Sequence, residues 1–257
     1  MAVTYELTPL ITGWFTAFPV DKFVLGWPRT EAVRAPCIAW LGRGSDGSNV
    51  LVDTGPAAPT FTTAAIHFPL EVRPEHRIDR AIRAAGVDPD SIIDVVLSHL
   101  HYDHSGNGEH LVNARFWVQE EEVRYAIAPD TQHLGGYEVG FDGVIPAWLG
   151  IFDRLHRVAG DIEVASGCTV LHLPGHSPGS AGVVFETVHG RVAVAGDLVS
   201  RLENWTALGG GHAACTLNSD EEECASSFQR LENSADFVLA SHDLRGLPKF
   251  INAPNVE

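Results

Sequence analysis

Apolar residues fall along this chain in short runs that end on polar or ionisable side chains. "CIAWLGRGSDGSNVLVDTG" places two such runs around a Gly/Ser/Asp turn and predicts a hairpin. "SIIDVVLSH", "CTVLHLPGH", "AGVVFE", "RVAVAGD" and "DFVLASHD" are apolar runs of strand length, and all but the third deliver a His or Asp at the end. Two segments follow the helical period instead. In "EHRIDRAIRAAG", Ile78, Ile82 and Ala85 share a face and Gly86 marks the stop. In "SDEEECASSFQRLENS", Ser219 and Glu222 read as a capping box, acids fill the first turn, and Cys224, Phe228 and Leu231 face inward. The stretch through residue 36 is apolar and aromatic (Trp14, Phe15, Phe18, Phe23, Trp27), broken by Pro19 and Pro28, and "TFTTAAIHFPLEVRP" reads as loop. Residues 120–160 are the least regular, with Gly135, Gly136, Gly140 and Gly143. They predict an insertion or lid on a single domain spanning 1–257, and Glu120, Glu121 and Glu122 read as a solvated helix start. Strands mixed with helices, with polar groups gathered at strand ends, describe a layered α/β domain whose site lies along one sheet edge.

Composition narrows the function. The 257 residues are 45% hydrophobic and 19% charged, an ordinary globular mixture. Net charge is −16, from 17 basic and 33 acidic residues, with no basic stripe, which argues against a nucleic-acid partner. No apolar run is long enough to span a membrane, and "MAVTYELTPLITGWFTAFPV" carries Glu6 and lacks the basic start of a signal peptide. The four cysteines (Cys37, Cys168, Cys215, Cys224) form no C-x-x-C pair, so a reduced, cytoplasmic protein is expected.

The densest chemistry is "SHLHYDHSGN". His99, His101, Asp103 and His104 follow directly on a strand, where a loop can turn several side chains to one point. Imidazole nitrogen and carboxylate oxygen are donors that Zn²⁺ accepts at roughly 2.0–2.2 Å, and the following "SGNG" lets backbone pass close by. Further along, His176 sits in "PGHSPGS", Asp197 in "AVAGDLV" and His242 in "VLASHD", each at the end of an apolar run. Together they make the ordered pattern HxHxDH…H…D…H.

With that pattern the chain resembles the metallo-β-lactamase superfamily over nearly its full length. The resemblance implies a four-layer αβ/βα sandwich with a two-metal site at the sheet edge. It implies His99, His101 and His176 on one metal, Asp103, His104 and His242 on the second, and Asp197 bridging the two. Asp53 in "LVDTG" matches a structural aspartate near the site, and it also reads as a simple strand-end turn. "VLSHLHYDHSGN", "LPGHSPGS" and "DFVLASHD" look most like the quorum-quenching N-acyl-homoserine lactone lactonases, whose members are often dimers; the apolar N-terminal segment is the candidate dimer surface. That branch usually carries a Tyr three residues past the bridging Asp, to help hold the substrate carbonyl. Here Ser200 stands at that spacing, too short for the same contact, and Tyr102 and Tyr137 are the candidates to make it instead.

Two Zn²⁺ ions about 3.5–4 Å apart lower the pKa of a shared water toward neutrality. The expected reaction is attack of this bridging hydroxide on a lactone or related ester, with Asp103 passing a proton to the leaving oxygen. No serine or cysteine nucleophile is required. A thioesterase of the glyoxalase II kind shares the motif, but its basic C-terminal region contrasts with the short, mildly basic "LRGLPKFINAPNVE" here. Donor spacing does not name the metal. Iron, as in persulfide dioxygenases, and manganese are therefore alternatives, whereas flavodiiron sites carry Glu where His101 stands. The remaining histidines (His67, His76, His110, His133, His156, His172, His189, His212) lack ligand spacing and are expected in surface or core roles. His133, in the Gly-rich insertion, and His212, after "GGG", are the two that could touch substrate. Trp14, Phe15, Trp27 and Phe68 are expected either in the core or walling an apolar pocket.

Overall fold

The computed structural model describes residues 2–207 and 209–252. The end of the mildly basic C-terminal stretch, 253–257, lies outside the described residues.

Two sheets face each other. The first holds β1 (Tyr5–Pro19), β2 (Ala32–Gly44), β3 (Asn49–Val52), β4 (Leu70–Glu71), β5 (Asp94–Val96), β6 (Arg115–Gln119) and β7 (Leu155–Val158), in the order β4-β1-β2-β3-β5-β6-β7. The second holds β8 (Ile162–Ala165), β9 (Cys168–His172), β10 (Ala181–Thr187), β11 (Gly190–Val194) and β12 (Phe237–Leu239), in the order β12-β11-β10-β9-β8. The helices are α1 (Val20–Phe23), α2 (Ile78–Ala84), α3 (Tyr102–Ser105), α4 (Glu120–Ile127), α5 (Leu134–Tyr137), α6 (Leu202–Trp205) and α7 (Glu221–Ser234).

The two-residue period of each strand builds the layers. On β2, Ile38 and Trp40 enter the core between the sheets, while Ala39 and Leu41 face outward against Ile78 and Ile82 of α2. On β10, Val183 and Phe185 point between the sheets, and Val184 packs outward with Cys224, Phe228 and Leu231 of α7. Helices thus cover the outer face of each sheet, giving four layers. Among the described residues no helix is long and apolar enough to cross a membrane.

Several expectations are corrected. The aromatic N-terminal segment is a 15-residue strand between β4 and β2. It pairs with β2 along most of its length and with β4 at Trp14 and Phe15, and it is mostly buried. Asp220, not Ser219, caps α7, accepting from the Glu222 and Glu223 amides at 2.8 and 2.9 Å; the Ser219 hydroxyl donates to the Gly175 carbonyl. Residues 120–160 carry α4, α5 and edge strand β7, and Tyr137, Trp148 and Ile151 belong to the core under the first sheet. Glu122 is no solvated residue: it is fully buried.

Candidate metal centre

All seven donors leave the sheets at strand ends. His99 and His101 follow β5, and Asp103 and His104 ride on α3. His176 lies in the loop after β9, Asp197 on a single 3₁₀ turn (Gly196–Val199) after β11, and His242 beyond β12. The Ala181 amide donates to the Ser98 carbonyl, tying the second sheet to the first beside these loops.

The side chains converge in two groups. His101 Nδ1 and His176 Nε2 are 3.2 Å apart, and His99 completes their set. In the other group Asp103 Oδ2 lies 3.5 Å from His104 Nε2 and 3.4 Å from His242 Nε2. Asp197 spans both. Its Oδ1 is 3.3 Å from His104 Nε2 and from His242 Nε2, and its Oδ2 is 3.9 Å from His176 Nε2. Ligands about 2.0–2.1 Å from a tetrahedral ion lie about 3.3–3.4 Å from one another, close to most of these separations. Buried nitrogens without hydrogen-bond partners include His99 Nε2, His104 Nε2 and His242 Nε2. Buried polar atoms are normally paired, so orphaned lone pairs aimed at common points fit a pair of cations.

The backs of the rings are anchored. His104 Nδ1 donates to Asp53 Oδ2 at 2.8 Å, and His242 Nδ1 to the Pro36 carbonyl at 2.9 Å. His99 Nδ1 lies 3.1 Å from the Ser98 hydroxyl. Each contact leaves Nε2 free to face the site. Asp53 therefore fills both of its expected roles. It makes the strand-end turn, at φ 63°, and its carboxylate also holds the Ser98 amide and hydroxyl at 2.7 and 2.8 Å. Gly55 next to it has φ 75°, and a Cβ there would collide with Thr12.

Electrostatics divide the groups. Burial, then neighbouring imidazoles, press His99 and His101 well below the ordinary range, so both are neutral, as ligation requires. Burial also opposes charge on His104, but Asp103, Asp197 and Asp53 outweigh it and raise its pKa well above normal. Burial raises Asp103. Burial likewise opposes ionisation of Asp197, yet His242 and His104 hold it well below the carboxylate range. Carboxylates so concentrated out of water call for a cation.

The centre opens on a cavity of about 430 Å³ walled by Phe15, Phe18, Phe23, Ile66 and Phe68. Of the expected aromatic wall, Phe15 and Phe68 are present. Trp14 instead lies under Arg34, and Trp27 does not line the cavity. Tyr102 lines it, stacked on His67 with ring centroids 3.5 Å apart. Tyr137 does not: it is buried and its hydroxyl donates to Glu122 Oε1 at 2.7 Å, so it cannot replace the missing carbonyl contact. Ser200 is also buried, donating to the Asp197 carbonyl. His212 bonds Glu232 and Trp205 away from the centre, whereas His133 is buried 3.3 Å from His101.

Sequence reasoning missed His67 and Glu122. Nothing local marks His67. Glu122 shares its helix face with buried Val123 and Ala126, a signal present in the pattern. Its carboxylate accepts from the Leu100 amide (2.8 Å), Tyr137 (2.7 Å) and Ser177 (2.6 Å), joining two ligand loops to the 120–160 stretch.

Residues 35–242 match the family model of the Metallo-beta-lactamase superfamily. The N-acyl homoserine lactonase AttM of Azorhizobium caulinodans is 29% identical over 247 residues, covering 92% of this chain and 86% of that protein. AttM of Agrobacterium fabrum is 29% identical over 220 residues, covering 81% and 80%. Among solved structures, a quorum-quenching N-acyl homoserine lactone lactonase superposes with a TM-score of 0.74 at 22% identity, over 98% of this chain and 97% of that one. AidC, a dizinc quorum-quenching lactonase, gives 0.64 at 16% identity, over 95% and 92%. These structural likenesses speak to the fold, which is the expected four-layer sandwich.

Proposed function

The chain belongs to the metallo-beta-lactamase superfamily, and from that premise we propose that it is a dinuclear zinc hydrolase that opens a lactone or a related ester. The observation carrying this reading is the convergence of seven buried donors, with Asp197 shared between two groups, on the floor of an aromatic cavity. The lactonase relatives, similar along most of the chain, support the lactone as substrate class.

His99, His101 and His176 would hold the first ion, Asp103, His104 and His242 the second, and Asp197 both. When bound, the pair supplies a nucleophile from water near neutral pH and a Lewis acid for the carbonyl oxygen. The chain's own residues do the rest. Phe15, Phe18, Phe23 and Phe68 bind the apolar body of the substrate and keep water from it. Tyr102, braced by His67, borders the reacting group from the same wall. The Asp103 carboxylate lines the cavity and carries the proton to the leaving oxygen, a contribution of about 10²–10⁴-fold. No covalent step is needed. Cys215 is the one thiol among the described lining residues; burial raises its pKa and it donates to the Lys22 carbonyl.

A panel of aliphatic and aromatic lactones, open esters, thioesters and β-lactams, run at fixed zinc content, tests this. Lactone opening that stops on chelation and returns with zinc is expected. Turnover of thioesters alone would replace the lactonase reading with the thioesterase one.

A further inference from the structure

Every histidine of the centre must present one particular ring nitrogen, and a neutral imidazole has one lone pair and one N–H to divide between its two nitrogens. His99, His104 and His242 have this settled from behind by Ser98, Asp53 and the Pro36 carbonyl. His101 is different. No group on β5 or α3 anchors its far side; the atom there is Nδ1 of His133, 3.3 Å from His101 Nε2.

The surroundings are built for this approach. His133 is fully buried. Three residues beyond it α5 passes so near His101 that a Cβ on Gly136 would lie 2.6 Å from its Cδ2. The Tyr137 ring stands edge-on to His101 at 4.4 Å between centroids. Segment 133–137 thus wraps one ligand and reaches it with one hydrogen-bonding atom.

We propose that His133 is a positioning residue for the first cation: it accepts the Nε2 proton of His101, which fixes the lone pair on Nδ1, the atom facing His176. This rests on the metal-centre reading above and adds to it a role for the 120–160 stretch beyond lining the cavity with Gln132, Gly135 and Gly136, as the outer support of one metal position. Because the bond is made to one ligand of one position, its loss weakens the first ion selectively. Outer-shell partners of this kind are typically worth about 10–100-fold in metal affinity.

The test uses full-length protein loaded with zinc and challenged with a graded chelator, reading zinc released per chain. Wild type is compared with His133→Ala, His133→Leu and His133→Asn; an Asn side-chain oxygen falls near the place of Nδ1 and can accept the same proton. Circular dichroism checks that each variant is folded. The Ala and Leu variants should release one equivalent about 10–100-fold more readily, the other equivalent unchanged, and Asn should restore much of the hold. Wild-type release from Ala and Leu, equal weakening of both equivalents, or an Asn variant no better than Leu overturns the proposal while leaving the centre intact. A wild-type protein that takes up no zinc removes the centre itself, a separate and recognisable failure.

Discussion

Asp53 has left-handed backbone and spends both carboxylate oxygens on the loop that carries the ligands. Asn tolerates that conformation and keeps one acceptor, whereas Ala loses the acceptors and adds strain of about 1–2 kcal/mol. In Asp53→Asn the amide group meets a donor where a carboxylate oxygen stood, so His104 loses its fixed orientation. Zinc affinity should fall about 10–100-fold in a folded protein, read by competition with a chelator of known affinity. Asp53→Ala should also melt lower than Asp53→Asn. Equal melting and undiminished affinity in both would reduce Asp53 to a turn residue. Single residues were legible in the sequence where the motif is local: four donors crowd into six positions, and Asp53 stands in a D-T-G turn. The roles of His67, His133 and Glu122 were not, because each acts through a partner far away in sequence: Tyr102, His101, and the set of Leu100, Tyr137 and Ser177. No spacing rule reports such pairings, and Ser200 shows the converse. It stands at the spacing where the resemblance implies a tyrosine, and folding turns its shorter side chain's hydroxyl onto the Asp197 backbone.

Helix α4 follows β6 directly, and that placement turns one helical position into a junction between elements. Removing the Glu122 carboxylate strands the Leu100 amide and the Tyr137 hydroxyl in the interior; Ser177 keeps Ser180 as a partner. A buried donor left unmet costs about 1–3 kcal/mol, so Glu122→Ala should lose about 3 kcal/mol. At about 2–4 °C per kcal/mol for a chain near this size, its melting point drops by about 6–12 °C. Glu122→Gln keeps the oxygen that meets both donors and should recover most of the loss in a thermal melt. If Ala and Gln melt together, the junction is not what holds these loops. Elements were readable where one face is apolar, as in α2 and α7, or where a short run is bounded by turn residues, as in β2 and β3. β1 escaped because it is buried on much of both faces and shows no alternation to read. Stretch 120–160 looked irregular for its glycines, although its buried aromatics close the core under the first sheet.

At the scale of the whole molecule, the fold gathers three aspartates and five histidines from both sheets into one buried centre, which is costly unless something cationic completes it. Burial opposes charge on His104, but Asp103, Asp197 and Asp53 outweigh it and raise its pKa well above normal. A histidine whose folded pKa is raised contributes stability below its unfolded value and loses it as pH climbs through the folded one. The metal-free protein should therefore lose this contribution on the alkaline side. Ligation needs the deprotonated ring, so uptake at the second position releases that proton and strengthens with pH. Zinc held at about a thousand times its dissociation constant adds about 4 kcal/mol per site, or about 8–16 °C of melting temperature. With the total zinc concentration then kept the same at every pH, melting curves with and without zinc should show a gap of that order, wider at pH 8 than at pH 6. A constant gap would mean that His104 is already neutral in the metal-free protein, and no gap would mean that these donors hold nothing.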